Sequence, residues 1–353
     1  MTWRTALPFL VGWSCGWVLL ARCPRLAGRR AAIDPRRAPV AVIIPARNEA
    51  GNLGAAIDAV RAQLRGGDQL LVVDDHSTDA TADVARAAGA DVLAAPELPG
   101  DWSGKCWACH QGAWATSAPT LVFVDADVEL AEGALRDLAA AVAVRGGLIS
   151  VQPWHRPRRL YEQLSMPFNL VALMGSAVCV PWGRRVRPRV AFGPVLATSR
   201  ADYDDVGGHA HRDVRGSVVD DIALAQRYDG RVTIATGRTT ATFRMYPDGV
   251  RSLAQGWSKN IAAGASNVPW WAFVGVVAWL WSVIGAPGAG WPCWLASAAQ
   301  VWILGRRVGR WHLLTAVIAP LLAVFFLCVL AWSALLRAFR WPVQWRGRDV
   351  LAR

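Results

Sequence analysis

The sequence predicts an α/β chain: a parallel-rich sheet with helices on both faces, carried between apolar segments at the two ends of the chain. Three observations predict it. Strand, polar turn and helical pattern repeat from Val40 onward, the alternation of a parallel sheet covered by helices. Acidic or polar clusters stand at the carboxyl ends of the strands, where open α/β sheets bind their ligands. Long uncharged runs flank this region on both sides, and the mean hydropathy is +0.25 over 353 residues.

Taken in order, Thr5 to Ala21 is uncharged for 17 residues, close to the length of about 20 that spans a bilayer. Arg22, Arg25, Arg29, Arg30, Arg36 and Arg37 follow this run instead of preceding it. That order predicts a signal anchor with its N-terminus outside and the next domain in the cytoplasm; a cleaved signal peptide is the rival reading. Val40 to Ile44 reads as a buried strand, and Asn52 to Leu64 as a helix. Gln69 to Val73 is a second strand running into Asp74-Asp75-His76-Ser77-Thr78-Asp79, where Ser77 to Asp79 can cap the helix Ala80 to Ala88. A short strand near Val92 follows, and Thr120 to Val124 is a fourth, ending at Asp125-Ala126-Asp127.

Gln163 to Gly183 is uncharged for 21 residues and is followed by Arg184, Arg185, Arg187 and Arg189. A crossing there would put Asp127 and Asp221 on opposite sides of a membrane. The segment is therefore expected to be interfacial and lipid-facing, with a basic edge. Ile261 to Gly305 is uncharged for 45 residues, broken by Pro287 to Gly290, and Trp311 to Leu336 is a third apolar run. Three crossings would leave the arginines of the tail outside, against the positive-inside rule, so one segment is expected to be re-entrant or interfacial; Pro320 marks the last. The expected division is a membrane anchor and basic linker over 1–39, a catalytic domain over 40–265 and a membrane region of about three helices over 266–353.

Charge and cysteine content exclude several classes. The net charge is +12, but Val40 to Val250 carries 21 basic and 24 acidic residues, so the excess lies wholly in the flanks. Membrane-flanking arginines explain that distribution, and no nucleic-acid-reading motif accompanies it. Seven scattered cysteines make no disulfide framework. Cys106-Trp107-Ala108-Cys109-His110 matches the C-x-x-C-H pattern of haem attachment, yet reads more simply as part of a helix in the central domain.

The chemistry-bearing residues are mostly acidic. Asp125 and Asp127, flanking a small residue at a strand end, suit either a solvated turn or a divalent cation that grips a diphosphate. Asp74 and Asp75 can accept hydrogen bonds from a base or a ribose. Asp220 and Asp221 open a helical pattern, where they serve either the helix dipole or a catalytic base. The chain has 36 arginines and only two lysines, Lys105 and Lys259. A compact ammonium at those positions suits a phosphate. His155 and His209 stand in polar loops.

Several stretches together, VAVIIPARNEAGNL, VVDDHSTDAT, WSGKCWACHQGA, LVFVDADV, ISVQPWH, AFGPV with GGH, and FRMYPDGVRSLAQGWSKN, make residues 40–265 resemble a membrane-anchored family-2 glycosyltransferase of the nucleotide-diphosphosugar-binding, GT-A-like fold. Within that family the chain is most similar to bacterial carotenoid glycosyltransferases of the 4,4'-diaponeurosporenoate type. The resemblance implies that Pro45, Arg47, Glu49, Asp74, Asp75, Lys105, Asp125 and Gln152 bind the sugar nucleotide. It implies Mg²⁺ or Mn²⁺ held by Asp127 with Asp125, and catalysis by Asp221 with Asp220. His209, Trp257 and Lys259 would lie toward the acceptor or diphosphate. Gly256-Trp257-Ser258-Lys259 stands where many relatives carry Q-x-x-R-W, and that absence counts against processive polymer synthesis. The expected activity is inverting transfer of a hexose, glucose from UDP-glucose, to a lipophilic acceptor, a carotenoid carboxylate or hydroxyl. The alternatives are a polyprenyl phosphate, hopanoid or glycerolipid acceptor, or a non-catalytic scaffold that binds sugar nucleotide. The implied localisation is a multi-pass membrane protein with a cytoplasmic catalytic domain.

Overall fold

A computed structural model describes residues 3–26, 37–217, 219–339, 341–345 and 348–351. Arg29, Arg30 and Arg36 of the predicted basic linker, with Arg340, Arg346 and Arg353 of the tail, lie outside the described residues. The chain divides into two compact units, each assembled from separated stretches: Arg25–Pro153 with Arg189–Phe243, and Met1–Pro24 with Trp154–Pro188 and Arg244–Arg353.

The first of these units is a mixed α/β sheet with helices. Its strands are β1 (Val40–Ala46), β2 (Gln69–Asp74), β3 (Asp91–Ala94), β4 (Thr120–Val124), β5 (Val128–Leu130), β6 (Leu148–Gln152), β7 (Val195–Ser199), β8 (Val232–Thr236) and β9 (Ala241–Phe243). Seven of them form one sheet in the order β3-β2-β1-β4-β7-β6-β8. Pairings β2–β3, β1–β2, β1–β4 and β6–β8 are parallel, whereas β7 runs antiparallel to both β4 and β6. The sheet is thus parallel-rich with one reversed strand. β5 and β9 pair antiparallel beside it. All five residues of β4 and β6 are buried, and Leu121 to Val124 of β4 accordingly reads as an apolar run.

The helices of this unit are α1 (Leu53–Arg61), α2 (Thr81–Ala87), α3 (Gly104–Ala115), α4 (Ala134–Arg145), α5 (Arg200–Asp205) and α6 (Asp220–Arg227). Helix α1 buries Leu53, Ala56, Ile57 and Val60, the i, i+3, i+4, i+7 face that its sequence presents. Helix α3 carries the C-x-x-C-H match. Cys106 and Cys109 are both buried, and the Cys106 thiol donates to the Val214 carbonyl, so these cysteines are packing residues. Gly112 lets α3 lie directly on the sheet, because a Cβ there would run into Ile43.

The second unit is helical. Met166–Ser176 is its buried centre: Met166, Phe168, Leu170, Leu173 and Met174 are all at most 1% exposed. The expectation of a lipid-facing segment over 163–183 is overturned for Met166–Ser176, whereas Pro181 and Trp182 at its end are exposed. Helices Val250–Ala265, Trp270–Gly285, Trp291–Val308 and Ala319–Ala338 cover that apolar stretch, and the Phe168 ring stacks on Trp257 with 4.8 Å between centroids. The predicted break at Pro287 to Gly290 separates two of these helices as expected. Pro320 does not break the last one. It occupies the first turn of Ala319–Ala338, where a missing N–H is no loss. Among the described residues this is the one helix long and apolar enough to cross a membrane, while Ala6–Leu19 and Trp270–Gly285 are shorter and apolar.

Candidate active site

The first unit gathers most of the predicted polar residues at the carboxyl ends of its strands. The register that pairs Ala46 with Asp74 sets the ends of β1 and β2 level, and the Asp75 N–H donates to the Ala46 carbonyl at 2.8 Å. Asp75 is buried, and Arg47 donates from Nη1 to its carbonyl oxygen at 2.9 Å and lies 3.8 Å from its carboxylate. Asp74 Oδ1 is buried without a hydrogen-bond partner among the described residues, an acceptor that suits a donor on a ligand. Glu49 secures the turn: its N–H donates to Thr81 Oγ1, its carbonyl accepts from Asn52 and Leu53, and its carboxylate accepts from the Asn52 side chain. Asp79 accepts from the N–H groups of Ala50 and Thr81, so it holds the start of α2 as a capping residue would. Pro45 sits within β1 opposite Val73, and Gln152 is buried at the end of β6 opposite Thr236.

At the end of β4, Asp125 and Asp127 are both half-buried around the buried Ala126. Lys105, in the first turn of α3, places Nζ 2.8 Å from Asp125 Oδ1 and 3.7 Å from Asp220 Oδ2. Burial works against its ammonium, but the carboxylates of Asp125 and Asp220 outweigh that and hold its pKa well above the ordinary lysine value. Gly193 makes room for this cluster, since a Cβ there would stand 3.3 Å from Lys105 Nζ and 3.2 Å from Asp221 Oδ2.

Asp220 and Asp221 are the first two residues of α6. Asp221 accepts from the Gly193 N–H at 2.8 Å and from the Ile222 N–H at 2.9 Å. Desolvation, followed by the neighbouring Asp220 carboxylate, pushes its pKa up to about 7. Asp220 is buried, with Oδ2 lying 3.9 Å from His209 Nε2. His209 is fully buried: its N–H donates to the Tyr203 hydroxyl at 3.0 Å, and its Nδ1 lies 2.9 Å from the same oxygen. Burial carries its pKa down to about 4, so it is neutral. A Tyr203 hydroxyl that accepts from the backbone has its own proton for Nδ1, which leaves the His209 proton on Nε2, facing Asp220.

The structure therefore brings Lys105, Asp125, His209, Asp220 and Asp221 into one cluster. Trp257 and Lys259 lie in the helical unit. Trp257 is buried there, and its indole N–H donates to Ser165 Oγ. His155, a candidate loop histidine, is likewise buried in that unit against Trp311. Sequence reasoning missed Gly193 and Tyr203 as site components. The first acts through its backbone N–H and the second through a buried hydroxyl; Gly193 lies within the AFGPV stretch, the one signal that could have pointed to it, and Tyr203 lies in no such stretch.

Among the described residues no group of three or more His, Cys, Asp or Glu side chains is poised around one point as a complete metal site. The donor set at Asp125 and Asp127 nonetheless suits a hard cation that completes its sphere with diphosphate oxygens and water. One member, Asp125, is paired with Lys105.

The family-2 glycosyltransferase model, "Glycosyl transferase family 2", matches residues 41–162. A 4,4'-diaponeurosporenoate glycosyltransferase of Staphylococcus aureus strain MRSA252 is 32% identical over 360 residues, covering 95% of this chain and 94% of the relative. The protein of that name from strain USA300 is 32% identical over 366 residues with the same coverage. A mannosyltransferase from Pyrobaculum calidifontis, solved in complex with GDP-Man and Mn²⁺, shares the fold at a TM-score of 0.51 and 17% identity, covering 89% of this chain and 94% of that one. The chain belongs to glycosyltransferase family 2 and is a glycosyltransferase.

Proposed function

We propose that the protein transfers glucose, with inversion, from UDP-glucose to a lipophilic acceptor, an apocarotenoid carboxylic acid. The observation that carries this is 32% identity along 95% of the chain to relatives named for a 4,4'-diaponeurosporenoate acceptor, together with the polar turn at the end of β1 and the acidic clusters at the ends of β2 and β4. Asp74, with its open buried acceptor, and Asp75, held by Arg47, receive the nucleoside. Pro45 and Glu49 shape that turn, and Gln152, buried at the end of β6, joins them in holding the sugar nucleotide. Asp127 and Asp125 would hold Mg²⁺ or Mn²⁺, which when bound supplies Lewis-acid neutralisation of the leaving diphosphate. Lys105 adds a positive charge beside the same phosphates, and Asp221, oriented by the Gly193 and Ile222 N–H groups, faces the incoming acceptor. Incubating membranes with labelled UDP-sugars and identifying the labelled lipid by mass spectrometry tests this reading; label in a polymer would overturn it.

A second acceptor class is favoured by one observation. A carboxylate with a pKa near 7 is a general base of the strength that deprotonating a hydroxyl requires. On that reading the acceptor is a hydroxyl-bearing lipid.

Lys105 has a specific expected effect. Lys105→Met should weaken UDP-glucose binding by about tenfold or more, the worth of a hydrogen bond to a charged group. Lys105→Arg should not restore it, because a planar guanidinium does not reproduce the compact ammonium that stands 2.8 Å from Asp125 Oδ1 and 3.7 Å from Asp220 Oδ2. Calorimetric titration of both variants with UDP-glucose checks this, and full affinity in Lys105→Met would refute it.

We also read the helical unit, Trp3–Leu19 included, as embedded in the membrane in several passes, with the sheet unit in the cytoplasm where sugar nucleotides are made. Exposed Leu7, Leu10, Phe273, Val274, Leu321 and Val324 on its helices support this, as apolar surface on that scale marks a lipid or protein interface. Gly66 is an open, exposed position for an engineered cysteine. In intact cells Gly66→Cys should take up no impermeant maleimide beyond that taken up by the parent chain; extra labelling would reverse the orientation.

A further inference from the structure

The helical unit holds a cavity of about 550 Å³ where Trp291–Val308 gives way to the segment leading into the last helix. Arg158, Arg306 and Arg310 line it, and no acidic side chain does. None of these three guanidinium groups forms an ion pair with a described residue. The nearby carboxylate of Glu162 is committed elsewhere: it accepts from Arg244 Nε at 3.0 Å and from the Arg158 backbone N–H. Three cations converging on one concavity with no counter-ion repel one another, and an anion entering between them relieves that repulsion.

The walls and surroundings say what kind of anion. Trp302 and Trp311 line the cavity, with the Arg306 guanidinium 5.9 Å from the Trp302 ring centroid. Leu313, which also lines it, is 62% exposed. The preceding helix is uncharged from Trp291 to Gly305 and meets its first charges, Arg306 and Arg307, in its last turn. The last helix then runs apolar from Ala319 almost to its end, with Arg337 in the final turn. The cations thus mark the polar end of two apolar helices, and indole rings at such a boundary sit at headgroup depth. A headgroup needs this volume, and basic pockets between apolar helices suit anionic ones.

We propose that this cavity binds the phosphate of an anionic phospholipid, with its acyl chains against Leu313 and Trp302. The proposal rests on reading the helical unit as membrane-embedded. A chain that is monodisperse in buffer without detergent would sink that reading by itself, before the cavity is probed.

The full chain, purified in dodecyl maltoside, is offered equal amounts of dioleoyl phosphatidylglycerol and dioleoyl phosphatidylcholine, and retained lipid is counted by native mass spectrometry. The expected preference for phosphatidylglycerol is about tenfold or more, since each basic group near a headgroup contributes roughly fivefold. Arg306→Gln with Arg310→Gln should abolish the preference, and Arg306→Lys with Arg310→Lys should keep it. Where the double glutamine variant is not monodisperse, Arg158→Gln alone, an exposed side chain, should lower the preference several-fold. Equal retention of the two lipids, or a preference that survives the glutamine changes, would overturn the proposal. Displacement of phosphatidylglycerol by millimolar inorganic phosphate would show a site for free anions instead. Preferential retention of oleate would show a site for a lipid carboxylate. Either result removes the phospholipid assignment.

Discussion

Asp221→Asn is expected to lower turnover on a hydroxyl-bearing acceptor by about 10²-fold or more, within the range for losing a general base. The substitution keeps the size of the side chain and removes its basicity. A hydroxyl must shed a proton as it attacks the anomeric carbon, whereas an ionised carboxylate has none to lose. With an apocarotenoid carboxylate the loss should therefore be much smaller, provided Asp220 keeps its place between Lys105 and His209. Measuring kcat with both acceptor classes, and UDP-glucose affinity as a control for the donor site, separates the two readings. A severe defect with a verified carboxylate acceptor and intact donor binding would refute the base-free account.

The same carboxyl sets a pH dependence of definite sign. Its pKa is raised to about 7, so the base form, and with it hydroxyl transfer, should increase as pH rises through about 7 and then level off. Asp221→Asn should flatten that limb. Stability should move the other way. A carboxyl whose folded pKa exceeds the unfolded value near 3.9 contributes fully below that pH and loses its contribution as pH climbs through about 7. Asp221→Asn is therefore expected to raise Tm at pH 8 and leave it nearly unchanged at pH 4. A gain in stability with a loss of activity is the trade expected where like charges are held together for function.

Asp127→Asn is expected to reduce turnover by about 10²–10³-fold or more, the scale of losing an electrostatic stabiliser of the departing group. Asparagine keeps an oxygen but carries no charge for a cation that must also hold a diphosphate. Mn²⁺ titration followed by electron paramagnetic resonance, with UDP present, should show weakened binding in the variant. A thermal melt close to that of the parent would show that folding is intact. Full activity of the parent chain in excess chelator would sink the metal-dependent mechanism outright.

Much of the sheet unit is legible along the chain because its signals are local. The runs at Val40, Gln69 and Thr120 are buried on both faces, so each announces a strand without reference to anything distant. Their polar ends follow from the rule that parallel strands present ligands at their carboxyl termini. The helix over Cys106 and Cys109, and the break before Trp291, were legible for the same reason.

What depended on partners far along the chain was not. Gln163 to Gly183 is as apolar as a lipid-facing segment, and only helices contributed by residues 250–338 decide that Met166–Ser176 is a protein core. Burial in lipid and burial in protein select the same side chains, so composition does not distinguish them. The reversed strand β7 enters the sheet between β4 and β6, an order that no single segment encodes. Lys105 reads in the sequence as a rare ammonium, but its position between Asp125 and Asp220, 20 and 115 residues away, exists only once α3 lies on the sheet and α6 starts beside it. So the residue types of the site, and the strand ends that carry them, were determined by the sequence alone. The pairing of charges that sets their protonation was decided by tertiary structure, because desolvation and Coulomb interactions depend on distance in space and not along the chain.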